Sequence, residues 1–552
     1  MIIKILYVLM SVILVLIVVV GIFFYIDANG QKYDIVVESE SIPQFMPIAF
    51  PFTHVHYGAK SLPLMASAAI DTDNDGIDEV FMGGGSGQSD VLLKYNDAGF
   101  IDISDASNLE PKGTFTTIAV ATADMDGNGF QDLVVSREDG FHFYYNTNGK
   151  FRHQKIVTSI NEKSTPAGIT LGDIDKDGDL DIFLSTYIKK ELMEGQTKFE
   201  DYGYGSTSEL LLNEGNQKFT SITTKAGLDY VHNTFMAILT DVDADGYLDL
   251  IVAHDTGEVR TYRNNGDLTF TMKENPLTKR FAYPMGIAVG DYNNDTNIDF
   301  AFSNTGSTLP SFIAKGDIKD ATLFNGKYLL FKNNGNFTFS DVAEETKIAD
   351  YEFSWGLVFA DMNNDGLQDL MVAQNYVDFF PNKLFRLPGR LLIQKADHTF
   401  AATEKESGLV NPHYGITPLV SDFNGDGHLD FIWANINSPS LAYINKGSNK
   451  NYLKVYLPKN AKNIGAIATV YLTSGATLTD HLIVGEGLAG DQSSMLHFGL
   501  GNNTEPVKLE IKYPDGEVWQ QDSVVINSTI HIAGISSEDS MQVDPDIENR
   551  IK

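Results

Sequence analysis

The chain has 552 residues, no cysteine, and 73 acidic against 40 basic side chains, for a formal charge of −33. That balance excludes a nucleic-acid binder, which needs a basic face to neutralise phosphates. The missing cysteine excludes disulfides, thiolate-held zinc, iron–sulfur clusters and thiol nucleophiles. With 43% hydrophobic and 11% aromatic residues the composition is that of a folded chain, and the length calls for several domains or one large repeat fold.

The first element is an almost wholly apolar run from Ile5 to Ile26 behind a single Lys4, long enough to cross a bilayer as a helix. Its end, Phe23-Phe24-Tyr25-Ile26-Asp27, lacks a small-x-small cleavage pattern. An uncleaved transmembrane anchor over residues 1–26 is therefore expected, with a cleaved signal peptide as the alternative. The acid-rich flank after Ile26, set against Lys4, places the N-terminus in the cytoplasm and the body outside it, in the periplasm or on the cell surface. Residues 27–45 read as a linker, and 535–552 as an acidic, disordered tail.

From residue 46 to 448 one pattern recurs seven times, D-x-[DN]-x-[DN]-[GT]-x-x-[DE]. Carboxylates or amides at positions 1, 3 and 5 of a tight loop converge on one point, glycine at position 6 permits the turn, position 7 offers a backbone carbonyl, and the acid at position 9 closes the set. Six to eight hard oxygens in a flexible loop suit calcium better than magnesium. The expected ligands are Asp71, Asp73, Asp75, Ile77 and Glu79 in loop 1; Asp124, Asp126, Asn128, Phe130 and Asp132 in loop 2; and Asp173, Asp175, Asp177, Asp179 and Asp181 in loop 3. They continue as Asp241, Asp243, Asp245, Tyr247 and Asp249 in loop 4; Asp291, Asn293, Asp295, Asn297 and Asp299 in loop 5; Asp361, Asn363, Asp365, Leu367 and Asp369 in loop 6; and Asp422, Asn424, Asp426, His428 and Asp430 in loop 7. Up to seven calcium ions are expected, with loop 5 the weakest site because Thr296 stands where glycine belongs. Positions 1, 3, 5 and 9 together hold 24 acids, which is most of the excess negative charge.

These loops are not EF-hands. Position 12 is apolar in every copy (Met82, Val135, Leu184, Val252, Phe302, Val372, Trp433) and lies in a strand-like run such as Asp249-Leu-Ile-Val-Ala. Each loop is thus the turn of a β-hairpin. Asn-x-Gly turns, as at Asn213-Glu-Gly215, Asn264-Asn-Gly266 and Asn333-Asn-Gly335, follow in later repeats and mark a second hairpin. Seven four-stranded units in series predict an all-β fold, a seven-bladed β-propeller. The seventh unit lacks a fourth strand, and Phe50 to Tyr57 is expected to supply it and close the ring, with His54 and His56 on one face of that edge strand. From 449 to 534 short alternating strands, Tyr452-Leu-Lys-Val-Tyr-Leu, Ile467-Ala-Thr-Val-Tyr-Leu and Val507-Lys-Leu-Glu-Ile-Lys, predict a small β-sandwich.

The seven loops resemble the calcium loops of FG-GAP/VCBS repeats, as in integrin α-subunit propellers. The C-terminal segment resembles the ASPIC/UnbV domain through Ile464-Gly465-Ala466, Gly487-Leu-Ala-Gly-Asp-Gln492-Ser493-Ser494, His497-Phe498-Gly499-Leu500-Gly501 and Tyr513-Pro514-Asp515-Gly516. A propeller followed by this domain resembles the cartilage acidic protein family. Animal members carry a cysteine-rich module that this chain lacks, so a bacterial-type, cell-envelope member is implied.

Loops between strands two and three, and connections between units, fall on the face opposite the metals. His232, His254, Tyr283, Tyr351, Trp355, His413 and Tyr414 gather there and form the candidate partner face. No catalytic motif is present: there is no H-E-x-x-H, no G-x-S-x-G and no Walker A sequence. The expected function is adhesion or protein interaction by a tethered calcium-binding propeller. A carbohydrate-binding or polysaccharide-processing (lyase-type) envelope protein, with His232, His254 or His413 as the base, is the alternative.

Overall fold

This computed structural model describes residues 10–16, 18–19, 32–57, 61–109, 115–156, 161–194, 197–215, 218–306, 314–375 and 386–532. Among them no helix is long and apolar enough to cross a membrane. Most of the expected span at 5–26, and the tail at 535–552, lie outside the described residues.

The chain is all-β and built from repeated four-stranded antiparallel sheets. Six run in sequence order within residues 67–102, 117–156, 164–221, 234–273, 287–341 and 354–402, and another uses residues 414–445. In each, the acidic loop joins strands one and two, and strand two begins on the position-9 acid, as in Thr234–Thr240 followed by Asp249–His254. The first strand of every sheet contacts the first strand of the next, and the last contacts the first, so the sheets form a closed, propeller-like circuit. First and second strands are buried on both faces, so they read as continuous apolar runs rather than alternating ones. Outer strands such as Phe219–Ser221 keep one face in water.

The circuit is closed by the N-terminal side of the chain, but not by the segment expected. Phe45–Ile48 pairs antiparallel with Leu441–Asn445, from Phe45 opposite Asn445 to Ile48 opposite Ala442. Phe50 to Tyr57 makes only isolated bridges, Thr53 to Pro439 and His54 to Ile436. Pro51 interrupts that segment by removing a ladder donor, whereas Pro47 is tolerated because Phe45–Ile48 is an edge strand. His54 and His56 are consequently not edge-strand residues. Both are buried, their rings stack at 5.7 Å, and His54 Nδ1 lies 2.8 Å from the Gly83 carbonyl. Burial lowers the His54 pKa to about 4.

Residues 32–44, read as a linker, lie along the circuit. Lys32 pairs with Glu352 at 2.8 Å, Tyr33 donates to Asp350 at 3.0 Å, and the Ser41 carbonyl accepts from Asn363 at 2.8 Å.

The C-terminal module has two sheets. Asn451–Tyr456 runs between Met495–Gly501 and Ser528–His531, and Ile467–Tyr471 with Val507–Lys512 forms the centre of the other. Leu453, Val455, Val470, Phe498, Leu509 and Ile511 fill the space between them. The module sits on the acidic-loop end of the circuit: Tyr456 donates to Asn74, His497 Nε2 lies 2.8 Å from Asn364 Oδ1, and the Lys176 ammonium donates to the Pro514 carbonyl.

From this module residues 484–492 enter the centre of the circuit and touch the first strand of every sheet. Gly490 pairs with Ser67, the Ala489 carbonyl accepts from Val120, and the Val484 carbonyl accepts from Thr170. The Ala489 N–H points at Met236 Sδ, Gly487 bridges Ile287, Gly487 packs near Val358, and the Leu488 N–H donates to Thr417. Asp491 is the polar anchor: its carboxylate accepts from the Thr122 N–H and hydroxyl and from the Gly485 N–H, and pairs with the buried Lys459 at 2.9 Å. Gly487 has φ of 97° and stands against Thr417 Oγ1, where a side chain would be strained and crowded.

Candidate metal centres and the opposite end of the circuit

All seven loops share one backbone. The position-1 carboxylate accepts the N–H groups of positions 5 and 6, from Asp71 with Asp75 and Gly76 to Asp422 with Asp426 and Gly427. Loop 5 does the same: Asp291 accepts from Asp295 at 2.9 Å and Thr296 at 2.8 Å, with Thr296 at φ 71°. The missing glycine therefore does not change the turn. What differs in loop 5 is position 9. Elsewhere the position-9 acid accepts from the N–H of position 2, as Asp249 does from Val242 at 2.9 Å, but the fully buried Asp299 Oδ2 has no partner among the described residues.

In loops 1 to 4 the acids at positions 1, 3 and 9 converge. Asp71, Asp73 and Glu79; Asp124, Asp126 and Asp132; Asp173, Asp175 and Asp181; and Asp241, Asp243 and Asp249 each bring one oxygen within 4.8 Å of the others. Asp73 Oδ1, Asp175 Oδ1 and Asp243 Oδ1 are buried without a hydrogen-bond partner. A set of hard carboxylate oxygens, one of them left bare in three of four loops, fits a calcium ion. In loops 5, 6 and 7 position 3 is an amide, and Asn293, Asn363 and Asn424 turn to other groups: Asn293 and Asn424 donate to Asp295 and Asp426, and Asn363 donates to Ser41. Burial, reinforced by neighbouring carboxylates, pushes Asp71, Asp132, Asp181 and Asp249 up to about 8, and Asp241 and Asp291 up to about 6. Burial and like charge thus disfavour the ionised form of these acids, which a bound cation would restore.

In five of the seven repeats one residue does more than its turn motif indicates. The backbone N–H of Asn264 donates to the position-9 Asp249, its Oδ1 accepts from Gly266, and its Nδ2 reaches the carbonyl of Ile174 in the preceding loop at 2.9 Å. Asn146, Asn333, Gln394 and Asn445 repeat this staple onto Thr72, Val242, Tyr292 and Met362. Each bond ties an acidic loop to its neighbour across two sheets.

At the other end, the seven residues of the expected partner face do not form one cluster. His232 stacks on the fully buried His254 at 4.2 Å, with Tyr230 hydrogen-bonded to His254 Nε2 and Arg260 over the Tyr230 ring. Burial lowers the His232 pKa to about 4. Tyr283 lies in a separate group with Phe199 and Phe324, its hydroxyl donating to the Ala314 carbonyl at 2.6 Å. Tyr351 is buried beside Arg390 and Tyr328. Trp355 packs edge-on to Phe235 and Phe353 and donates to the Asn375 carbonyl at 3.0 Å, which places an aromatic cap at the end of the circuit away from the loops. His413 and Tyr414 are half-buried, and the His413 carbonyl accepts from Asn375.

Comparison with known proteins agrees with the two-part reading. A model for the FG-GAP-like repeat matches residues 71–135, 124–184, 241–302 and 321–372, and a model for ASPIC and UnbV matches residues 457–539. The chain therefore carries FG-GAP-like repeats followed by an ASPIC/UnbV domain. Cartilage acidic protein 1 of Xenopus tropicalis is 23% identical over 92% of this chain and 79% of its own length. The Homo sapiens protein of that name is 23% identical over 89% and 74%. Among solved structures, BBS1N in complex with ARL6DN aligns at a TM-score of 0.41 and 10% identity, covering 73% of this chain and 96% of that one. The exotype rhamnogalacturonan lyase YesX aligns at 0.37 and 10%, covering 73% and 75%.

Proposed function

We propose that the chain is an extracytoplasmic, calcium-stabilised, seven-bladed β-propeller that serves adhesion or protein interaction, tethered through residues 5–26 with its N-terminus in the cytoplasm. The observation that carries the calcium reading is the convergence of three acids in each of loops 1 to 4, with a bare, buried position-3 carboxylate oxygen in three of them. Bound calcium would neutralise those acids and cross-link each loop. Asp173, Asp175 and Asp181 would hold it in loop 3, and the equivalent residues in the other loops. The similarity to cartilage acidic protein 1 over most of the chain supports a place outside the cytoplasm.

The C-terminal module covers the loop end, so a protein or glycan partner would meet the face opposite. Binding rather than lyase chemistry is supported at His232 and His254, because His254 is fully buried and a pKa of about 4 makes His232 a weak base. Thermal unfolding in EDTA against excess calcium tests the metal reading. The expected result is a markedly lower melting temperature in EDTA, because a ligand bound only by the folded state stabilises it. Superimposable curves would refute it.

A further inference from the structure

Loops 1 to 4, the four whose acids converge, are not equivalent in charge, and the difference lies in one strand-three position. That position stands opposite the position-9 acid, one residue beyond the pairs Val80–Leu93, Leu133–Tyr144, Ile182–Leu211 and Leu250–Tyr262. In loop 1 it is Lys94, whose ammonium lies 2.6 Å from Glu79, 2.9 Å from Asp75 and 3.2 Å from Asp73. In loop 4 it is Arg263, which lies 2.7 Å from Asp243 and also pairs with Asp245. In loop 2 it is Tyr145, and in loop 3 it is Leu212.

Tyr145 is 3% exposed, and its hydroxyl has no hydrogen-bond partner among the described residues. Its charged neighbours are Asp132 and Asp126 of loop 2 and Arg152, whose guanidinium lies 4.7 Å from the ring centroid rather than on the loop acids. Among the described residues no lysine or arginine pairs with an acid of loop 2 or loop 3. The C-terminal module also treats the loops differently. A side chain at Gly246 of loop 4 would meet the Pro514 carbonyl, and one at Gly76 of loop 1 would approach His531, whereas Gly129 and Gly178 of loops 2 and 3 face open space.

We propose that Lys94 and Arg263 are resident cations that compete with calcium in loops 1 and 4, so that loops 2 and 3, where Tyr145 and Leu212 leave the acids uncompensated, are the high-affinity sites. This rests on the calcium reading above. A positive charge within hydrogen-bond distance of two or three carboxylates opposes a divalent ion at the same site and supplies part of the neutralisation that the ion would give. Among these four loops the strand-three residue, not the acidic motif, then sets the order of filling; loop 5 has Lys332 at that position, paired with Asp295, and loops 6 and 7 are paired instead with Lys450 and Lys454 of the C-terminal module.

Calcium titration calorimetry on the purified full-length chain tests this. Asp126→Asn and Asp175→Asn are each expected to remove one tightly bound ion, and Asp73→Asn and Asp243→Asn none. Lys94→Leu is expected to add one tight ion. Leu212→Lys, at a half-exposed position that tolerates a long side chain, is expected to weaken loop 3 by about tenfold or more. The proposal is overturned if Asp73→Asn removes a tight ion as Asp175→Asn does, if folded Lys94→Leu binds no more than wild type, or if Leu212→Lys leaves affinity unchanged. Should Lys94→Leu not fold, Leu212→Lys decides. Absence of calcium binding in wild type and every variant would refute the calcium reading itself, a result distinct from binding that ignores these substitutions.

Discussion

The two ends of the circuit are sealed by different chemistry. At the loop end the seal is a strand of chain from the C-terminal module, held by Asp491, Lys459 and backbone hydrogen bonds and ringed by acids. At the far end it is made of side chains from the repeats themselves, chiefly Trp355, Phe235 and Phe353. The first seal depends on charge and its compensation. The second is apolar packing, which does not respond to ions. The same repeat therefore presents a condition-sensitive end and an indifferent one.

The largest test of that contrast is pH with and without calcium, because it acts on several loops at once. Asp71, Asp132, Asp181 and Asp249 titrate at about 8 when folded and metal-free, against 3.8 for an ordinary aspartate. Folding takes up protons between those values, so the stability of the metal-free chain should fall as pH rises from about 4 to about 8. Calcium bound as proposed would displace those protons and flatten the fall. Urea midpoints at pH 5 and 8, in EDTA and in calcium, measure it, and parallel behaviour in the two media would erase the distinction between the ends.

Next comes Asp491→Ala, which leaves Lys459 buried and unpaired and should cost about 3–5 kcal/mol in urea unfolding. Trp355→Ala at the other end should cost about 3 kcal/mol with the same value in EDTA and calcium. A calcium-dependent cost there would show that the ends are coupled. The smallest expected effect sharpens the loop end alone. Asn264→Ala removes the staple to Ile174 and should cost about 1–3 kcal/mol, while Asn265→Ala, whose side chain stays on the exposed turn, should cost under about 0.5 kcal/mol.

Local spacing carried what was legible in the sequence. Acids at fixed intervals before an apolar run define a loop and the strand it opens, and residues 241–254 show both without any distant contact. The Asn-x-Gly turns were equally plain, yet only the Oδ1 bond of Asn264 to Gly266 is local. Its Nδ2 bond to Ile174 spans two repeats and leaves no mark in the spacing. The closing strand was displaced by a few residues because Phe50 to Tyr57 alternates as a strand should, while the edge position that accepts Pro47 is set by the register of Leu441–Asn445. The aromatic and histidine residues of the far end were identified by position but not by burial. Stacking of His232 on His254 is a tertiary fact. The motif at residues 487–494 was recognised, but that it threads the circuit depends on contacts with all seven first strands.

That threading has a kinetic consequence. Phe45–Ile48 must find Leu441–Asn445, and Gly490 must find Ser67, across most of the sequence. Loops of such length close slowly, and their entropy is lost before most of the reward arrives. During synthesis the individual hairpins can form as they emerge, but the circuit cannot lock until Asp491 has left the ribosome. Until then the nascent repeats expose unpaired edges and an open centre, so their protection in that interval falls to chaperones or to the rate of translocation rather than to the fold itself.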